Sequence, residues 1–97
     1  MNIDIKKFGT TLISRQSGKE AFAAFQPILK DALETEDLII DFNGVITFSP
    51  SWGDEFLTPI VRIYGDRSKF KNTKNPSVRA AIEILEKANN IKFNIID

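Results

Sequence analysis

Ser49 and Ser51 stand on either side of Pro50, at the head of a helical pattern that begins with Trp52. A hydroxyl at a helix N-terminus can accept hydrogen bonds from the unpaired N–H groups of the first turn. Once phosphorylated, it would place its charge where those groups and the positive end of the helix dipole favour it. Ser51, with Asp54 at the third position beyond it, is read as the residue that begins and caps this helix, and as the candidate phosphoacceptor. Capping alone, worth about 1 kcal/mol, is a sufficient reason for a serine there, and Asp54 and Glu55 would repel a phosphate. Acid–base or metal chemistry would have to come from Asp41, Asp54 and Glu55. Asp41 lies at the end of the apolar run Leu38–Phe42, the strand end at which α/β folds hold ligands. Asp41 and Asn43 therefore make a second candidate site, for a nucleotide or metabolite. No nucleophile–base pair accompanies these carboxylates and their spacing is not that of metal ligands, so turn stabilisation and capping explain them more simply.

Composition narrows the chemistry further. The chain has no histidine and no cysteine, which removes the commonest general base and metal ligand, histidine phosphotransfer, thiolate chemistry and any disulfide framework. No enzyme and no cofactor is expected. Thirteen acidic and thirteen basic side chains cancel, so no global field attracts nucleic acid or an anionic membrane. The basic run Arg67, Lys69, Lys71 and Lys74 has Phe70 as its only aromatic residue and reads as a solvated loop. Gly9 and Gly18-Lys19 hint at a phosphate-binding loop, but Ile13 occupies a required glycine position and Glu20 follows Lys19, so that motif is absent. Without a signal-like N-terminal run or an apolar run of membrane-spanning length, the expected location is cytoplasmic.

The elements that would position these residues follow from periodicity. Ninety-seven residues make one domain, 1–97, and 42% apolar residues with eight phenylalanines are enough for one core. Met1–Arg15 reads as a hairpin turning at Gly9-Thr10. Ser17, three residues before Glu20, opens a first helix with the stripe Phe22, Phe25, Leu29, Ala32 and Leu33, ending near Glu34-Thr35 and bent at Pro27. Leu38–Phe42 reads as a strand covered on both faces. Asn43-Gly44 then admits two readings, a hairpin pairing 38–42 with 45–48, or a turn into a crossover. The second helix carries Trp52, Phe56, Ile60 and Ile63, with Leu57, Val61 and Tyr64 beside them; Pro59 should bend it and Gly65-Asp66 end it. A third helix starts at Asn75-Pro76-Ser77, buries Val78, Ala81, Ile82 and Leu85, and stops at Asn89-Asn90. Ile91–Ile96 alternates as a last strand. The class is α/β, a mixed β-sheet with helices in the order β-β-α-β-α-(short β)-α-β.

At residues 38–56 the chain resembles STAS-type domains, the fold of anti-sigma factor antagonists. There, Asp-apolar-Ser-Gly-Val leads to Asp-Ser-Ser-Gly at a helix start; Asp41-Phe42-Asn43-Gly44-Val45 is similar to the first part, and Ser51 falls on the serine that a partner kinase phosphorylates. Lys69–Asn72 and Pro76-Ser77-Val78 resemble the family's short strand and third helix. The likeness is closer to a divergent STAS-like family of small bacterial proteins carrying Ser-Arg, Asp-Phe-x-Gly-Val and Pro-Ser-Phe-x-Asp-Glu-Phe. Ser14-Arg15, Asp41–Val45 and Pro50-Ser51-Trp52-Gly53-Asp54-Glu55-Phe56 supply these here. The antagonists' acidic residue before the serine is Ser49 in this chain, the small residue between is Pro50, and the following glycine is Trp52, which changes the surface a kinase would meet.

The resemblance implies a crossover at Asn43-Gly44 and a regulatory module that binds a protein partner. The docking residues would be Ser49, Pro50, Trp52, Asp54 and Glu55, with Ser51 as phosphoacceptor. The implied partner is a histidine-kinase-like ATPase of the anti-sigma type. Trp52 is either a core anchor or an exposed contact. A small-ligand sensor at Asp41 and Asn43 is the alternative function.

Overall fold

The run Leu38-Ile39-Ile40-Asp41 is the strand the others line up against. In the computed structural model, which describes residues 1–97, it is β3 (Leu38–Asp41). The other elements are β1 (Asn2–Asp4), β2 (Thr11–Leu12), α1 (Arg15–Lys30), β4 (Thr47–Phe48), α2 (Pro50–Tyr64), β5 (Ser68–Lys71), α3 (Pro76–Asn89) and β6 (Asn94–Ile96). Tight 3-10 turns occupy Ile5–Phe8 and Gly65–Arg67. Four strands form one sheet in the order β1-β3-β5-β6, and β2 pairs with β4 in a separate two-stranded sheet.

Every pairing is parallel, where a mixed sheet was expected. The N-terminal hairpin does not form. After β1 the turn at Ile5–Phe8 buries Ile5 beside Ile3 and carries the chain out of the first sheet. Gly9, at a φ of +137° that other residues resist, lets it leave toward β2. Asn43-Gly44 is a turn, closed by the Val45 N–H donating to the Phe42 carbonyl at 3.0 Å with Gly44 at φ +87°. The chain then crosses over rather than returning. The Thr10 carbonyl accepts from the N–H groups of Ile46 and Thr47, and Asn75 Nδ2 donates to the carbonyls of Val45 and Ile46. The backbone groups a hairpin would use are taken.

Strands added in sequential order through right-handed crossovers place all three crossover helices on one face, and α2 packs between α1 and α3. On that face Ile3, Ile40 and Phe70 lie level across three strands and are fully buried. The other face carries Asn2, Asp4, Ile39, Asp41, Lys69, Lys71 and Asn94, all exposed or half-buried, so β3 is covered on one side only. The basic run is not a solvated loop. Ser68 and Phe70 point into the core, while Lys69 and Lys71 point out and pair with Asp37 (3.0 Å) and Asp41 (3.6 Å). Arg67 donates to the carbonyls of Glu36, at 3.0 Å, and Leu33.

The helices keep the expected stripes with shifted ends. Ser14, not Ser17, caps α1 by accepting from the Ser17 N–H at 3.0 Å. Glu20 accepts from Gln16 instead of closing a box. The helix ends at Lys30, leaving Leu33 exposed. Both α1 and α2 run through their internal prolines, Pro27 and Pro59. In α2, Trp52, Phe56, Leu57, Ile60 and Val61 are buried, while Ile63 faces outward. Asn75 caps α3, and Asn90 ends it in the left-handed conformation.

Candidate functional site

Proline at the first position of a helix costs no hydrogen bond and forces the residue before it into an extended conformation, which is cap geometry. That makes Ser49, with φ −99° and ψ 153°, the cap of α2 rather than Ser51. Its Oγ accepts from the Trp52 N–H at 3.2 Å and donates to the Ile13 carbonyl at 2.6 Å, tying the helix start to the chain after β2. Ser51 moves to the second helical position, half-buried, and its hydroxyl takes no part in the cap. The Ser-Pro pair was the signal in the sequence that distinguishes the two serines.

Trp52 is not a contact residue. It is 0% exposed, stacked on Phe56 at 5.0 Å, with the rings of Phe48 and Phe8 at 5.5 and 5.9 Å. Its Nε1–H is buried without a partner. Of the residues expected to meet a partner, Ser49, Pro50, Asp54 and Glu55 remain half-exposed on one helix start and Trp52 is removed to the core.

Two residues that periodicity could not single out complete the site. Arg15, in the first turn of α1, reaches across to α2 and donates through Nη1 to Asp54 at 2.9 Å and Glu55 at 3.0 Å. Asn89, from the last turn of α3, donates to Asp54 at 3.2 Å, and Thr58 adds a further bond at 3.1 Å. Asn89 also accepts from Arg62 at 3.2 Å. All three helices thus converge on one carboxylate. A recess of about 350 Å³ lies on one side of it, where Arg15 and Ser51 face Ile84 and Ala88 of α3. On the other side a recess of about 520 Å³ is lined by Lys19, Phe22, Pro59, Arg62 and Ile63. Ile84 and Ile63, 51% and 62% exposed, flank this polar network.

Burial pushes the Asp54 carboxyl up, but the hydrogen bonds from Arg15, Asn89 and Thr58, with the Arg15 charge, outweigh it and hold the group below its ordinary value of 3.8. A carboxyl depressed on folding stabilises the native state above its unfolded value, and this stabilisation disappears as pH falls through the folded one. Asp54→Asn is therefore expected to lower the urea midpoint at neutral pH, with the gap to wild type narrowing below pH 3.8. Urea titrations at a series of pH values check this; a constant gap would show that Asp54 acts only through its shape.

Asp41 and Asn43 form a local turn instead of a pocket. Asp41 Oδ1 accepts from the Asn43 N–H at 2.9 Å, its other oxygen faces Lys71, and Asn43 is exposed. None of the four surface recesses includes either residue. Nowhere do three acidic side chains converge as metal ligands would, and no helix is long and apolar enough to cross a membrane. The fold and site define a small α/β protein with a one-sided parallel sheet and a polar network on its outer helical face. Comparison with protein-family models, with curated proteins and with solved structures returns no match.

Proposed function

We propose that this chain is a non-enzymatic regulatory module of the STAS-like kind, docking a protein partner through the first turn of α2 and the outer face that follows it. The contact residues are Ser49, Pro50, Ser51, Asp54 and Glu55, and the partner is a histidine-kinase-like ATPase of the anti-sigma type. Ser51 is the phosphoacceptor. The observation that supports this most is the release of Ser51 from capping, which Ser49 performs. Capping no longer accounts for Ser51, and it lines a recess together with Arg15. A phosphate there would sit at the positive end of the helix dipole and draw Arg15 away from Asp54 and Glu55. The charge pattern of the docking face would change while the core stayed as it is.

Incubation with such a kinase and ATP is expected to raise the mass by one phosphate, and Ser51→Ala to abolish the gain. A wild type that binds the kinase but stays unmodified would sink the switch and leave the docking. Modification that persists in Ser51→Ala would move the site elsewhere.

A further inference from the structure

The two open edges of the main sheet differ. The Asn72 N–H donates to the Ile96 carbonyl at 2.8 Å, and Lys71 lies opposite Ile96. In a parallel ladder this phase turns both amide groups of Asn94 and Ile96 toward β5 and both of Ile95 away from it. Ile95 therefore holds a free N–H and C=O out at the sheet edge. Its side chain, level with Phe70 on the helical face, is 45% exposed. On β1 the Ile39 N–H bond to the Met1 carbonyl sets the opposite edge so that Asn2 and Asp4 point their amides outward. A charged residue there blunts that edge against pairing. On β6 the outward-facing residue within the strand is the apolar Ile95, and the nearest charge on that edge is Asp97, just past the strand end.

We propose that β6 is a two-fold interface, pairing antiparallel with β6 of a second copy and centred on Ile95. The outward N–H and C=O of Ile95 then bond to the same residue of the other copy. Geometry selects a second copy over a foreign strand. With strands about 4.8 Å apart, the axis lies roughly 2.4 Å outside β6, and a helix lying over β5 and β6 is about 5 Å from it. The two α3 helices then run antiparallel about 10 Å apart, an ordinary helix packing distance. Charge selects it as well. Arg79, Glu83 and Glu86 share the side of α3 that borders β6, around a recess of about 380 Å³ that also contains Ile82 and Ile95. Antiparallel helices set Arg79 of one copy against Glu83 and Glu86 of the other, which within their own chain also reach Lys87 at 3.2 Å and the Phe93 N–H at 2.8 Å. The contact is isologous and closes on itself as a dimer. It lies on the side of α3 away from Ile84 and Ala88, so the Ser51 recess stays open.

Sedimentation velocity from micromolar to millimolar protein is expected to show the mass doubling with concentration. Ile95→Pro removes the outward N–H while leaving the bonds to β5 untouched, and Ile95→Lys places a charge on the edge. Each should weaken dimerisation by at least about tenfold, with circular dichroism and the unfolding midpoint of dilute protein retained. Arg79→Glu should weaken it too, and adding Glu83→Arg, which leaves the Glu86 bond to the Phe93 N–H in place, should restore it. A wild type that is monomeric at every concentration overturns the proposal. So does a dimer that survives both Ile95 variants.

Discussion

Trp52→Ala is expected to cost about 3–5 kcal/mol of stability, read as a fall in the urea midpoint. The indole sits where α2 meets α1 and β4, against Phe8, Phe48 and Phe56, and none of it reaches solvent. Removing it opens a cavity walled by other aromatic rings, which cannot collapse inward without leaving their own contacts. A domain of this size has a total stability of about 5–15 kcal/mol, so the loss is a large share of it. Trp52→Phe separates two contributions. It keeps part of the ring volume and removes a buried N–H that has no partner, so it should cost distinctly less than the alanine. The same variant tests the reading of Trp52 as a core residue. Were the indole a docking contact, Trp52→Ala would leave stability nearly unchanged and reduce partner binding instead.

Gly18→Ala should destabilise the fold by about 1–3 kcal/mol net, although alanine is normally the better helix former by about 1 kcal/mol. A Cβ on Gly18 would lie 2.6 Å from the Trp52 carbonyl oxygen and 3.0 Å from its Cα. Both are backbone atoms of α2, so no rotamer change relieves the overlap and the two helices must separate. Gly53 is the internal comparison. A Cβ there would meet Leu85 Cδ1 and Phe48 Cε2, each at 2.9 Å. These are side-chain rather than backbone atoms, but Phe48 is held between Phe42 and Trp52, so Gly53→Ala should also destabilise, by less than Gly18→Ala. Urea unfolding of the two variants side by side decides the matter. An unchanged or stabilised Gly18→Ala would mean that the α1–α2 crossing is looser than its geometry.

Trp52→Ala and Gly18→Ala both act where α1 crosses the start of α2, and that crossing also creates the site. Close approach at Gly18 brings the first turn of α1 against α2, which is what allows Arg15 to span to Asp54 and Glu55. A Gly18 substitution that pushes the helices apart should also lengthen those ion pairs. The docking surface and the core are mechanically one unit at this point.

Local pattern alone determined much of this protein. The stripes of α2 and α3, the limits of α3 at Asn75 and Asn90, the apolar run of β3 and the absence of histidine and cysteine are all readable residue by residue. They depend on side-chain period and on backbone preferences that act over a few positions. Ser49 was legible too, because a proline at the first helical position marks the residue before it as the cap. The alternation of Ser68, Lys69, Phe70 and Lys71 was a strand signal that the charge of the run obscured, and the resemblance led to a short strand being expected there. Only the tertiary structure decided the rest. Parallel pairing in place of a hairpin depends on which carbonyls Asn75 and the N–H groups of Ile46 and Thr47 occupy, far apart in the chain. The burial of Trp52 depends on what α1 and β4 bring to it. The network at Asp54 needs Arg15, Thr58 and Asn89 from three different helices. Periodicity states which face of an element is apolar; only the assembled chain states what that face meets.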